Sequence, residues 1–220
     1  MDQKLFSLIN GQWTSPALDS FMAALSCMAA WVPLFAVLIV LVAVRGGFRA
    51  RAMLVVLGIT IAVMDVGISD TIKKIAKEPR PREALEGVRV LDLQPAPVPL
   101  RFLSIFKPAV VSLSPAPEDQ PTGHSFPSGH TINTFSAATV LTLFYKKRGL
   151  PAYIVAALVG YSRVYTGAHW PSDVLLTASI AVVATLLLVA ALDRLWRKAG
   201  GRMMPGVFAK NPVLVEGVTT

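Results

Sequence analysis

The chain has 220 residues, of which 54% are hydrophobic and only 15% charged. That is too apolar for an ordinary soluble domain, and its long apolar runs point to a membrane protein. The formal net charge of +8 sets nucleic-acid binding against basic loops between membrane spans together with a basic phosphate site; the apolar runs favour the second. Cys27 is the only cysteine, which excludes an intrachain disulfide, argues against a cysteine-based metal site, and suits a small buried apolar role.

The first ten residues lack a basic start followed by an apolar core, so no cleavable signal is expected. Leu5, Leu8, Ile9 and Trp13 fall near helical spacing. Residues 1–16 are therefore expected as an interfacial N-terminal segment, with a frayed terminus as the alternative. Ser15, Pro16 and Asp19 are helix-start signals. Phe21–Val44 is long enough to span a hydrocarbon core of ~30 Å, with Pro33 as a candidate kink. Arg45, Arg49 and Arg51 form a basic turn. Ala52–Ile72 is the second predicted span. Asp65 lies near its far end and is assigned a pairing role with a neighbouring lysine, since an ionisable group inside a span costs ~3 kcal/mol.

Residues 83–123 form a long proline-rich connector, the kind of segment used as a lid or binding loop. Its one apolar patch, Leu100–Phe106, can dip into the headgroup layer or pack against the loop. Thr131–Phe144 is the third span; its Ser, Thr, Ala and Asn133 suit close packing inside a bundle. Lys146-Lys147-Arg148 is a second basic turn, Ala152–Val164 a short fourth span and Val174–Leu192 a fifth. A basic tail, 193–220, follows. The expected fold is thus all-α: one membrane-embedded domain over 1–220, a polytopic helix bundle with a long periplasmic loop between spans two and three. A sixth span is possible only within the connector and would break the alternation.

With five spans, the basic, acid-poor segments share one side, which should be cytoplasmic. Lys73–Arg80, Pro127–His130 and Arg163–Asp173 then emerge together on the opposite face. Two arginines can fork onto phosphate oxygens, and Lys73 adds a point charge. Ser128 and Gly129 sit at a helix start, where free N–H groups and the helix dipole favour an anion, and Gly129 permits close approach. His169 and Asp173 are four apart. On one helical turn the carboxylate can accept the imidazole N–H and fix its tautomer, with Pro171 in the first turn. The other ring nitrogen is then free to act as nucleophile or base. His124 reads as a loop or rim residue, and Trp170 as site wall or interfacial belt.

Lys73-(six residues)-Arg80-Pro81, Pro127-Ser128-Gly129-His130 and Ser162-Arg163-(five residues)-His169-(three residues)-Asp173 together resemble the three-part signature of the type 2 phosphatidic acid phosphatase superfamily, over about residues 60–190. The resemblance implies a lipid phosphate phosphatase. It gives His169 the role of nucleophile forming a phosphohistidine, and Asp173 that of orienting it. His130 becomes the general acid that later activates water, and Lys73, Arg80, Ser128, Gly129 and Arg163 the phosphate binders. Such chemistry is mostly positioning plus cations; no metal or other cofactor is expected, and no acidic cluster that could hold one is evident.

The expected substrate is a lipid phosphate or diphosphate, undecaprenyl diphosphate first. Lipid A 1-phosphate, phosphatidylglycerophosphate and phosphatidate are alternatives, as is a phosphotransferase using the same phosphohistidine. The expected setting is the cell inner membrane, with the site facing the periplasm or exterior and the bilayer and its lipids as partners, not nucleic acid. A catalytically silent lipid-binding protein is disfavoured by the presence of His130, His169 and Asp173.

Overall fold

The computed structural model describes residues 1–98, 100–119 and 121–215. Residues 99 and 120 of the expected connector and 216–220 of the expected tail lie outside the described residues. Among the described residues, three helical stretches, Met28–Arg45, Phe48–Ala84 and Pro171–Met203, are long and apolar enough to cross a membrane.

The N-terminal segment is tied into the molecule. Helix α1 (Asp2–Ser7) runs into a π turn, Leu8–Gln12, that buries Phe6, Ile9 and Asn10. Helix α2 (Pro16–Ser26) starts as its sequence dictates: Ser15 accepts a hydrogen bond from the Leu18 N–H, and Pro16 occupies the first turn. It buries Asp19, Met22 and Ala23.

The expected first span, Phe21–Val44, is not one helix. The chain breaks at Cys27, whose φ of −86° and ψ of 87° leave the helical region, and α3 (Met28–Arg45) restarts beyond it. Pro33 is carried in the second turn of α3 rather than marking the irregularity. The Trp31 indole donates to the Ala24 carbonyl across the break, satisfying one of the carbonyls that α2 leaves open.

The second long rod is α4 (Phe48–Ala62), a π stretch Val63–Ser69, and α5 (Asp70–Ala76). Asp65 lies in the π stretch, a departure often found at functional sites. A short α6 (Pro81–Ala84) follows. The connector is more structured than its prolines suggest. Strands β1 (Arg89–Leu93) and β2 (Ala109–Leu113) pair antiparallel, Arg89 opposite Leu113 and Leu93 opposite Ala109. Both segments are rich in branched apolar residues. The buried side chains of β1 are Leu91 and Leu93. Between the strands, a 3-10 turn at Arg101–Phe106 packs against α3.

Helix α7 (Gly129–Tyr145) is the centre of the bundle, against α4, α8 (Pro151–Tyr165) and α9 (Pro171–Met203). It buries Thr131, Ile132, Ser136, Ala138, Thr139, Val140 and Phe144, as its small and hydroxyl-bearing sequence anticipates. The basic segments share the end of α7 remote from Gly129. Arg49 donates to the Phe144 carbonyl, and the Phe48 and Trp196 rings lie 5.8 Å apart. The basic tail continues α9 to Met203, turns through α10 (Pro205–Phe208), and folds back. There the buried Asp193 accepts from the Leu214 and Val215 N–H groups and from Arg197 Nε.

Candidate active site

The sequence signature converges at the other end of α7. Ser128 caps the helix: its hydroxyl accepts from the Thr131 N–H and hydroxyl, and its own N–H donates to Thr177 Oγ1 at 3.1 Å. These bonds use the Ser128 hydroxyl as an acceptor and leave its O–H to donate, and the amides the helix start leaves over are those of Gly129 and His130. Gly129 has Lys73 Nζ and Asp65 Oδ1 beside it. A Cβ there would lie 3.8 Å from the first and 3.9 Å from the second. The far end of the second rod thus delivers its ammonium to the start of α7, with a carboxylate close by.

Arg80 comes from the turn before α6 and Arg163 from the last turn of α8. Each keeps its Nε buried without a hydrogen-bond partner among the described residues. A buried donor left unsatisfied costs about 1–3 kcal/mol. Two on adjoining guanidiniums fit an oxyanion cradle, because a tetrahedral anion supplies the missing acceptors. The charge of Arg82 also acts on both Arg80 and Arg163. Sequence reading passed it over, although Arg80-Pro81-Arg82 was there to see.

His169 is carried on a loop wrapped over the Arg163 carbonyl, which accepts from the N–H groups of both Ala168 and His169. Gly167 makes the turn with φ of +76°, and a Cβ there would meet the Arg89 carbonyl oxygen at 2.7 Å. The β-hairpin is thus pressed directly against the loop. His169 is buried, and its Nδ1 has no hydrogen-bond partner among the described residues. Burial first, then the positive charges of Arg163 and Arg80, hold its pKa well below the ordinary imidazole value. The ring is accordingly neutral with a lone pair available. His130 is close enough for its charge to act on His169, and Arg163, Arg80 and Lys73 act on His130 in turn.

Contrary to the expectation from their spacing, His169 and Asp173 do not share a helical turn. Helix α9 begins at Pro171, and Trp170 before it is extended, so His169 lies outside the helix. The nearest approach, Nδ1 to Oδ2, is 3.9 Å, an ion-pair distance beyond hydrogen-bond range. That carboxylate oxygen instead accepts from Ser125 Oγ at 2.5 Å and from the Trp170 N–H at 3.1 Å. Ser125 was missed because it precedes the signature by two residues and looks like ordinary loop. Glu78 was missed too; its carboxyl lies beside that of Asp173.

The surroundings brace this constellation. Trp170 is wall rather than belt: its indole donates to the Pro79 carbonyl at 3.0 Å, next to Arg80, and its ring lies 5.3 Å from Phe6. Asp2 accepts from the Ser172 N–H and hydroxyl. Asp19 accepts from Arg89 at 2.8 Å and from the Tyr165 hydroxyl at 2.6 Å, joining α2, β1 and the end of α8. His124 is exposed at the rim.

A helical bundle that gathers four cations, two imidazoles and a carboxylate at one end defines a phosphoryl-transfer class of membrane protein. The chain belongs to the PAP2 superfamily, which it matches over residues 49–197. It is 26% identical over 183 residues to the lipid A 4'-phosphatase of Bacteroides thetaiotaomicron, covering 82% of this chain and 72% of that protein. Shorter matches reach the lipid A 1-phosphatase of Porphyromonas gingivalis, 34% over 87 residues, 38% of this chain and 20% of that one. The undecaprenyl-diphosphatase of Sulfolobus acidocaldarius matches at 46% over 59 residues, 26% of this chain and 29% of that one. The chain therefore spans less than a third of the length of those two relatives. The crystal structure of Aquifex aeolicus LpxE superposes with a TM-score of 0.60 at 24% identity, over 86% of this chain and 94% of that one. That likeness is one of fold.

Proposed function

We propose that the chain is an integral-membrane phosphatase that removes the terminal phosphate of a lipid phosphate or diphosphate through a phosphohistidine. The observation that carries the reading is the buried, neutral His169 beside two guanidiniums whose Nε atoms lack partners among the described residues. A neutral imidazole is a nucleophile, and the cations stabilise charge on the transferred group. In the first step a nitrogen of His169 forms a bond to phosphorus as the bond to the lipid oxygen breaks, and His130 gives that oxygen a proton. In the second, His130 takes a proton from water as the water oxygen attacks phosphorus, releasing phosphate and free His169. Lys73, Arg80 and Arg163 hold the phosphoryl oxygens throughout, and the N–H groups at Gly129 and His130 face the same anion.

Five crossings, α3, the α4–α5 rod, α7, α8 and α9, give the topology that goes with this function. The Arg45–Arg51 and Lys146–Arg148 turns and the chain after Leu192 then lie on the cytoplasmic side, with the site at the periplasmic or outer face of the inner membrane.

Undecaprenyl diphosphate is the first substrate of this reading, supported by the match to the undecaprenyl-diphosphatase. A second substrate, a phosphate of lipid A, is favoured by the relative with the widest match. Release of inorganic phosphate by purified protein in detergent, from undecaprenyl diphosphate, lipid A, phosphatidylglycerophosphate and phosphatidate in parallel, tests both. Release from none of them would overturn the reading. Phosphate recovered on a second lipid instead of in solution would convert the assignment to a phosphotransferase.

A further inference from the structure

The break at Cys27 has a chemical partner. In an unbroken helix the Ser26 carbonyl would accept from the N–H of Ala30, four residues on. Here the Ala30 N–H donates to the Cys27 carbonyl at 3.0 Å instead. The freed Ser26 carbonyl stands 3.1 Å from His130 Nε2. A carbonyl oxygen can only accept, so Nε2 must carry a proton. The ring's Nδ1 makes no hydrogen bond to any described residue. The same Ser26 places its hydroxyl 2.9 Å from that of Ser162, the residue before Arg163. One residue at the end of α2 therefore touches both the second histidine and the helix turn that carries an arginine of the cradle.

We propose that the α2–α3 break is a positioning device for His130: the Ser26 carbonyl locks the Nε2–H tautomer, so Nδ1 is the nitrogen that exchanges a proton with substrate. The proposal deepens the phosphatase reading and rests on it. In the first step the negative charge of the bound phosphate favours a second proton on His130, so the ring is an imidazolium with Nε2–H held by Ser26 and Nδ1–H passing to the lipid oxygen as its bond to phosphorus breaks. The ring that remains is neutral, with the lone pair on Nδ1. In the second step that lone pair takes a proton from the attacking water, restoring the imidazolium for the next turnover. Nε2–H is never released, which keeps the ring from turning over between the two half-reactions. Ser26 is thus a positioning residue: it touches the acid, not the lipid.

The test is nitrogen-15 NMR of histidine-labelled full-length protein in detergent, under mildly alkaline conditions where imidazole is neutral. A His130→Asn variant identifies the His130 signals. The expected result is a protonated Nε2 and a bare Nδ1 on His130. A proton on Nδ1 of the neutral ring would overturn the proposal, whichever lipid is hydrolysed. Cys27→Pro removes the N–H that anchors the end of α2 and disfavours helical geometry at Ser26, turning its carbonyl away. In that variant the proton should redistribute towards Nδ1, and kcat should fall about tenfold or more with KM within about twofold. An unchanged Nε2–H signal there would show that the break does not set the tautomer. If Nε2 carries the proton in the parent protein and no lipid releases phosphate, the phosphatase reading fails, and the proton-transfer role falls with it.

Discussion

Ser125 Oγ donates to Asp173 Oδ2 at 2.5 Å, and this is the same carboxylate oxygen that lies 3.9 Å from His169 Nδ1. The serine thus stands as a hinge between carboxylate and nucleophile. Asp173 is held by Ser125 and the Trp170 N–H while the imidazole waits just out of hydrogen-bond reach. Hydrogen bonds to charged groups contribute about 1.5–3 kcal/mol. We expect Ser125→Ala to lower kcat/KM about tenfold with the fold intact, measured by phosphate release and circular dichroism. An unaltered kcat/KM would remove Ser125 from the site's working parts.

His169→Ala should lower kcat by about four orders of magnitude or more while the protein still inserts and folds. Protein quenched in alkaline denaturant should carry base-stable, acid-labile phosphate in the parent and none in the variant. Asp173→Asn keeps the shape and loses the charge, and should cost about 10³-fold in kcat with lipid binding retained. Wild-type turnover in either variant would overturn the role given to that side chain.

Gly167→Ala tests the link between hairpin and nucleophile loop. The turn has φ of +76°, and the added methyl would meet the Arg89 carbonyl oxygen at 2.7 Å. Strained backbone of this kind costs about 1–3 kcal/mol. The loss should appear both as a lower unfolding temperature and as a fall in kcat, because the displaced loop carries His169. A variant as stable and active as the parent would mean that β1 does not brace the loop.

Acid should destabilise the fold through His169. Its pKa is depressed in the folded protein by burial and by Arg163 and Arg80, whereas the unfolded chain titrates near 6.5. Above that value both states are neutral and the residue is silent. As the pH falls below it the unfolded state gains a proton that the folded state refuses, so stability is lost until the folded pKa is reached. Unfolding temperatures at pH 7.5 and 5.5 should therefore differ by less in His169→Phe than in the parent; equal differences would show that His169 contributes nothing to acid sensitivity.

The cluster itself was legible in the sequence. Five spans of alternating direction, as read from the sequence, would carry Lys73, Arg80, His130, Arg163 and His169 to a common end, and the structure brings these residues together. The parts that were not legible depend on long-range partners. Nothing in Ser26-Cys27-Met28 is a helix breaker, while Pro33, which is, rides inside α3. The break is satisfied by Trp31 and His130, which local propensity cannot see. The helical spacing of Leu5, Leu8, Ile9 and Trp13 gives no sign of the contacts Phe6 and Asn10 make, because their partners, Trp170, Arg89 and Tyr165, are far along the chain. The His169–Asp173 spacing suggested one helical turn, but Trp170 takes the extended cap position and shifts the helix start past the histidine.

The π stretch at Val63–Ser69 sits between the rod's basic end and Lys73. Each residue added to or removed from a helix rotates everything beyond it by about 100°. A single-residue deletion within 63–69 would swing the ammonium off Gly129 and empty one corner of the cradle, although no functional side chain had been altered. Through this stretch residue number matters more than identity: selection can tolerate exchanges among its apolar residues far more readily than a change of count.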